Sequence, residues 1–201
     1  MMNIAVFASG NGSNFQALLD ASHNGLLNAT IKLLVCDRPG AFAVERARKA
    51  GVETFVFSPK EFSSKEEYEA ILAKKLKDLQ IEWIALAGYM RLIGTVLLSS
   101  YEGRIVNIHP SLLPLYPGKD AVGQALADGA CNTGVTVHFV DEGMDTGPII
   151  EQIEISIAEQ ETTESLQAKI QKVEHRLYPT VLQSLVTTQG GGHYGKKTGT
   201  D

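Results

Sequence analysis

The chain predicts a single α/β domain: a Rossmann-like, mostly parallel twisted sheet flanked by helices, with an antiparallel edge in its second half. Three observations carry this. Short apolar runs alternate with helical patterns through the first half, which is the signature of βαβ units. Those runs are almost continuously apolar, as strands covered on both faces must be. In the second half two such runs flank a connection too short for a crossover helix, so they should pair antiparallel.

Each element has its own signal. Residues 3–9, "NIAVFAS", read as a strand, and 13–25, "SNFQALLDASHNG", as a helix begun on a polar cap and stopped at glycine. Residues 30–36 form a second strand, 41–51 a second helix and 53–57 a third strand. Over 63–80, Tyr68, Ile71, Leu72, Leu76 and Leu79 recur at helical spacing, with charges on the other face. Residues 82–88 and 103–109 are the fourth and fifth strands. Residues 133–157 hold two strands around a loop rich in glycine and acid. A helix over 162–186 should break or kink at Pro179. The domain spans 1–187, and 188–201, without apolar period, is expected to be a flexible tail.

Composition narrows the function. With 44% hydrophobic and 20% charged residues the chain is of ordinary globular type. A net charge of −5 excludes a general nucleic-acid binder, so an anionic ligand must be held by local donors. Cys36 and Cys131 form no C-x-x-C and no His/Cys cluster, which gives no zinc site and suits a reducing cytoplasm. No stretch reaches the roughly 20 apolar residues of a membrane span, so no membrane partner is expected.

Three segments with chemistry fall at strand carboxyl ends: Gly10-Asn11-Gly12, Gly88-Tyr89-Met90 and Asn107-Ile108-His109. In a parallel sheet they converge on one edge, where ligands of this fold class bind. "SGNGSN" runs strand, Gly-x-Gly, helix. Its free N–H groups and helix dipole favour a phosphate, with Ser13 or Asn14 capping the helix or bonding the same anion. A plain turn and cap is the alternative. The loop lacks both the third glycine of a dinucleotide fingerprint and the lysine of a P-loop. Asp37, in "CDRPG", reads as a turn residue.

In "NIHPSLLP", Asn107 and His109 lie two apart on an extended segment, so their side chains share one face. Pro110 and Pro114 stiffen the chain beyond them, and the stretch is a candidate for a cis X-Pro bond. Asp145, in "DEGMDTGP", would orient His109 if the two meet. Three satisfied polar residues at strand ends is the alternative. His138 reads as a buried, hydrogen-bonded support, His23 as helix surface, His175 as a neighbour of Glu174, and His193 as part of the tail.

With "GNGSN", "AGYMRL", "NIHPSLLP" and "DEGMDTGPI" in this order, the chain resembles the phosphoribosylglycinamide formyltransferase family over about residues 2–187. The resemblance implies a cytoplasmic purine-synthesis transferase, a monomer or homodimer without metal, nucleic acid or membrane. Its small-molecule substrates would be glycinamide ribonucleotide and 10-formyltetrahydrofolate. It implies Asn107, His109 and Asp145 as catalytic residues. Gly12, Ser13, Asn14 and Glu174 would bind the ribonucleotide. Lys65, Met90, Arg91, Leu92, Ile93 and Asn107 would line the folate site. Two positions depart from the pattern: Asp120 stands where some relatives have histidine, and Gln171 where some have a phosphate-binding lysine. A deformylase-like hydrolase and a non-catalytic binder of a phosphorylated metabolite are the rival readings. The binder would need the glycine loop but not the Asn107–His109–Asp145 set.

Overall fold

The computed structural model describes residues 1–188. The tail expected from 188 onward, with His193, therefore lies outside the described residues apart from Thr188. In chain order the elements are β1 (Met2–Phe7), α1 (Ser13–His23), β2 (Ala29–Cys36), α2 (Phe42–Lys49), β3 (Glu53–Val56), α3 (Lys65–Asp78) and β4 (Trp83–Leu86). They continue with α4 (Thr95–Ser100), β5 (Ile105–His109), α5 (Ala121–Ala127), β6 (Asn132–Phe139), β7 (Ile149–Ser156) and α6 (Thr163–Thr188). The seven strands form one sheet in the order β3-β2-β1-β4-β5-β6-β7. The first five are parallel, and β6 and β7 add antiparallel. The antiparallel edge expected from the short connection is present.

Strand parity builds two cores. Ile4 and Val6 of β1 point to one face, where α1, α2 and α6 pack, while Ala5 and Phe7 point to the other, under α3 and α4. A bulge between Ile4 and Ala5 leaves Lys32 of β2 exposed and unpaired, which returns Leu33 to the correct face.

Two expectations need correction. Of the break or kink expected at Pro179, the break is absent: one helix runs through that residue. Tyr178, Pro179, Val181 and Leu182 are all buried. That packing outweighs the roughly 3 kcal/mol an interior proline costs. On α3, Ile71 is 47% exposed while Glu69 is 2% exposed, so the buried face is not purely apolar. The reason lies in the site, because Glu69 accepts a backbone bond from Gly94 there. Helices α4 and α5 carry no sequence signal: at six and seven residues they are too short to show a period.

Tyr178 ties α6 to the sheet. Its hydroxyl lies 2.9 Å from the Leu86 carbonyl at the carboxyl end of β4 and 3.1 Å from that of Val106 near the start of β5. β4 and β5 are two of the strands whose carboxyl ends build the site.

Candidate active site

The strand order reverses between β1 and β4, and a cavity of about 570 Å³ opens there, as the topology requires. The glycine loop, the segment after β4 and the end of β5 all line it, so the expected convergence is present.

At one end lies the glycine loop. Gly12, at φ 75°, is the cap of α1, and no side chain caps the helix. The expectation that Ser13 or Asn14 caps it is therefore corrected: both lie inside the first turn and line the cavity. Gly12 is required for two reasons. Its φ is left-handed, and a Cβ there would stand 2.7 Å from that of Ala43. Asn14 instead donates to the buried Glu174 carboxylate at 3.0 Å, so two residues 160 positions apart meet across the cavity. Burial raises the Glu174 pKa, with the Asn14 bond pulling the other way. The Asn14 side-chain oxygen has no partner among the described residues, which leaves an acceptor for a ligand donor. Gln171 and Asp120 also line the cavity, and Asp120 caps α5 by accepting from Gly123.

At the other end Asp145 is a hub. One carboxylate oxygen accepts from the Gly118 N–H at 2.7 Å and lies 3.4 Å from His109 Nδ1. The other lies 3.4 Å from the Asn107 amide nitrogen and 3.7 Å from His138 Nε2. Burial pushes the Asp145 carboxyl up, but the bonds from His138 and Gly118 and the field of His109 outweigh it and hold it below the ordinary range. Asp145 takes φ 58°, which few residues other than glycine adopt and which a dense set of contacts must hold.

His109, 4% exposed, has acceptors at both nitrogens, since its Nε2 lies 2.8 Å from the Tyr116 carbonyl. Only a ring protonated at both nitrogens donates to both. His138 is buried and hydrogen-bonded, as expected of a support. It lines the cavity, its Nε2 is 3.1 Å from the Asn107 amide, and its Nδ1 is 2.7 Å from the Phe139 carbonyl.

The proline-bounded stretch is braced from β6 and β7. Thr136 donates to the Ser111 carbonyl at 2.7 Å and accepts from the Leu113 N–H at 3.1 Å, and Gln152 donates to the Leu113 carbonyl at 2.9 Å. The Leu113–Pro114 bond is cis.

Met90, Arg91, Leu92 and Ile93 line the apolar flank, with Met90, Leu92 and Met144 about half exposed. Lys65 does not line the cavity; it opens α3 beside Glu69. Two supports of this flank carried no sequence signal. Ser9, 2% exposed, accepts from the Met90 N–H at 2.9 Å and donates its own N–H to the Gly88 carbonyl at 3.0 Å. Glu69 accepts from the Gly94 N–H at 2.7 Å. Asp37 lies in a bend just after β2, as its reading as a turn residue expects, but it is buried, 3.9 Å from the Arg91 guanidinium.

A doubly wound sheet with a phosphate-type loop facing an amide, imidazole and carboxylate defines a group-transfer site, and its family is formyl transferase. Residues 2–182 match the family described as "Formyl transferase", and the chain belongs to it. It is 50% identical over 192 residues to the phosphoribosylglycinamide formyltransferase of Bacillus subtilis, covering 96% of this chain and 98% of that protein. With the Escherichia coli protein of the same name it shares 39% over 181 residues, 90% of this chain and 85% of that one. The crystal structure of glycinamide ribonucleotide transformylase 1 from Geobacillus kaustophilus superposes with a TM-score of 0.90. That structure is 60% identical, with 92% of this chain and 98% of that chain covered.

Proposed function

We propose that this protein moves the formyl group of 10-formyltetrahydrofolate onto the amine of 5'-phosphoribosylglycinamide. The products are N-formylglycinamide ribonucleotide and tetrahydrofolate, in cytoplasmic purine synthesis. Residues 1–187 act as one catalytic unit on two small molecules, without metal. The observation that carries this reading is the meeting of Asn107, His109 and Asp145 across one cavity from the glycine loop. The relatives' names supply the substrates.

The cavity fits both. The N–H groups of Gly12, Ser13 and Asn14 at the start of α1 suit the ribonucleotide phosphate. The unpartnered Asn14 oxygen and the Glu174 carboxylate beside it suit the sugar and its substituents. The half-exposed Met90, Leu92 and Met144 would be covered by a flat heteroaromatic ring, with Arg91 placed for an acidic tail.

Transfer forms a bond from the amine nitrogen to the formyl carbon while negative charge gathers on the formyl oxygen. The bond to N10 then breaks, and a proton passes from the attacking amine to N10. Asn107 offers an amide N–H toward that oxygen. His109 offers a second by exchanging its bond to the Tyr116 carbonyl for one to the substrate. A single such donor is typically worth about 10²–10³ in turnover. Asp145 holds the imidazole oriented and stabilises its positive charge. It can also organise a water that relays the proton between the two nitrogens, help of a kind typically worth about 10²–10⁴.

The test is one assay on purified protein with ribonucleotide and formyl donor, each also omitted in turn. Formylated ribonucleotide that appears only with both present supports the reading. Formate released at the same rate without ribonucleotide would make the protein a hydrolase. Tight binding of ribonucleotide without turnover would make it a binding module.

A further inference from the structure

The glycine loop presents neutral donors to a doubly charged group, and Gln171, neutral too, lines the same cavity. Arg91 and Lys119 also line that cavity, but the cation that contacts the loop itself is on α2. The Arg46 guanidinium donates from Nε to the Asn11 carbonyl at 2.9 Å, and from a terminal nitrogen to the Asn11 side-chain oxygen at 3.0 Å. Its other terminal nitrogen reaches the Gln16 side chain on α1 at 3.3 Å. The guanidinium stacks on Phe42, 4.7 Å from the ring centre, which fixes its plane. The loop is also pressed onto α2 by backbone. The Ala43 N–H donates to the Gly10 carbonyl at 3.1 Å, and Gly12 approaches Ala43 too closely for any side chain.

Arg46 does not line the catalytic cavity. It borders a separate groove between α1 and α6, which shares Ser13 with that cavity. It therefore acts through the loop. Its fork binds the carbonyl and side chain of Asn11, so the next residues turn their N–H groups toward the anion. Its charge stands behind those dipoles.

We propose that Arg46 is a positioning residue for the phosphate end of the site: it holds the glycine loop in its anion-binding form and supplies positive charge that the loop itself lacks. This rests on the reading of the loop as the ribonucleotide's phosphate site. A merely structural arginine would matter equally for any acceptor. A phosphate-positioning arginine matters only for a phosphorylated one.

The experiment compares glycinamide ribonucleotide with its dephosphorylated riboside as acceptors for the wild type, Arg46→Met and Arg46→Lys. The wild type should prefer the phosphorylated acceptor. Arg46→Met should raise the ribonucleotide KM about tenfold, the scale of one charge-assisted bond, with kcat and the riboside KM unchanged. Arg46→Lys, which keeps the charge but loses the fork, should fall between. It carries the test if Arg46→Met does not fold, since its KM must then rise for the ribonucleotide alone. Equal losses on both acceptors, or no loss on either, would overturn the assignment to Arg46. A wild type indifferent to the phosphate would instead remove the loop's reading as a phosphate site.

Discussion

Asp145→Asn separates orientation from charge at the hub of the site. Asparagine retains the shape and can still accept from Gly118, but it removes the negative charge 3.4 Å from His109 and from the Asn107 amide. At this separation and an effective dielectric near 20, a unit pair is worth about 5 kcal/mol, which is about three to four powers of ten in rate if fully expressed in the transition state. The carboxylate is only 12% exposed, so solvent screening removes little of it. Turnover should therefore fall by about 10³, while the affinity for ribonucleotide, which the proposed function seats at the other end of the cavity, should change less than about threefold. Steady-state kcat with calorimetric ribonucleotide binding measures both. A kcat within about fivefold of the wild type would refute the role given to Asp145.

The same group makes a stability prediction of fixed sign. Its folded pKa is depressed, so its contribution is present above the ordinary aspartate value of about 3.9 and is lost as pH falls through the folded value. The stability gap between wild type and Asp145→Asn should close as pH is lowered below about 4.

Glu174 has the opposite sign. Its folded pKa is raised, so the buried carboxylate costs stability at neutral pH and the cost vanishes as pH falls below about 4.3. Glu174→Gln should be more stable than wild type in denaturant at about pH 7.5 and equal to it at about pH 4; a difference constant with pH would contradict the burial argument. Tyr178→Phe leaves the carbonyls of Leu86 and Val106 without their buried donor. It should cost about 1–3 kcal/mol, seen calorimetrically as a fall in Tm of several degrees. Ser9→Ala strips the Met90 N–H of its partner. It should raise the folate KM about tenfold and leave the ribonucleotide KM near wild type, as initial rates with each substrate varied would show.

Much of the fold was legible because the five inner strands, buried on both faces, have a one-dimensional signature, and the edge strands β3 and β7 fall where the remaining apolar runs placed them. The segments of the site were legible for the same reason, since topology alone sends three strand carboxyl ends to one edge. The polar supports were not. Glu66, Glu67 and Glu69 look alike in a charged helix, yet only Glu69 is buried, because the chain returns 25 residues later to offer it the Gly94 N–H. Asp37 turns inward for a guanidinium more than fifty positions away. Arg46 sits in a run of charges that reads as a solvated helix face, and its partner is a carbonyl, which no residue type announces. Periodicity reports what packs by surface area. It is silent about polar groups buried by one long-range bond.

The antiparallel edge has a consequence for the site that a wholly parallel sheet could not supply. β6 returns alongside β5 in the reverse direction, so His138 stands directly across from Asn107, and Thr136 across from His109. The bulge at His138 and the loop leading to β7 then bring Asp145 back over the same strand end. A parallel neighbour would have needed a crossover helix and would have left the β6–β7 connection at a different edge. Asn107 thus receives a cross-strand imidazole, His109 a carboxylate from the following loop, and the proline-bounded stretch a brace from Thr136. The reversal of the sheet is what turns two strand-end residues into a site with a fixed carboxylate.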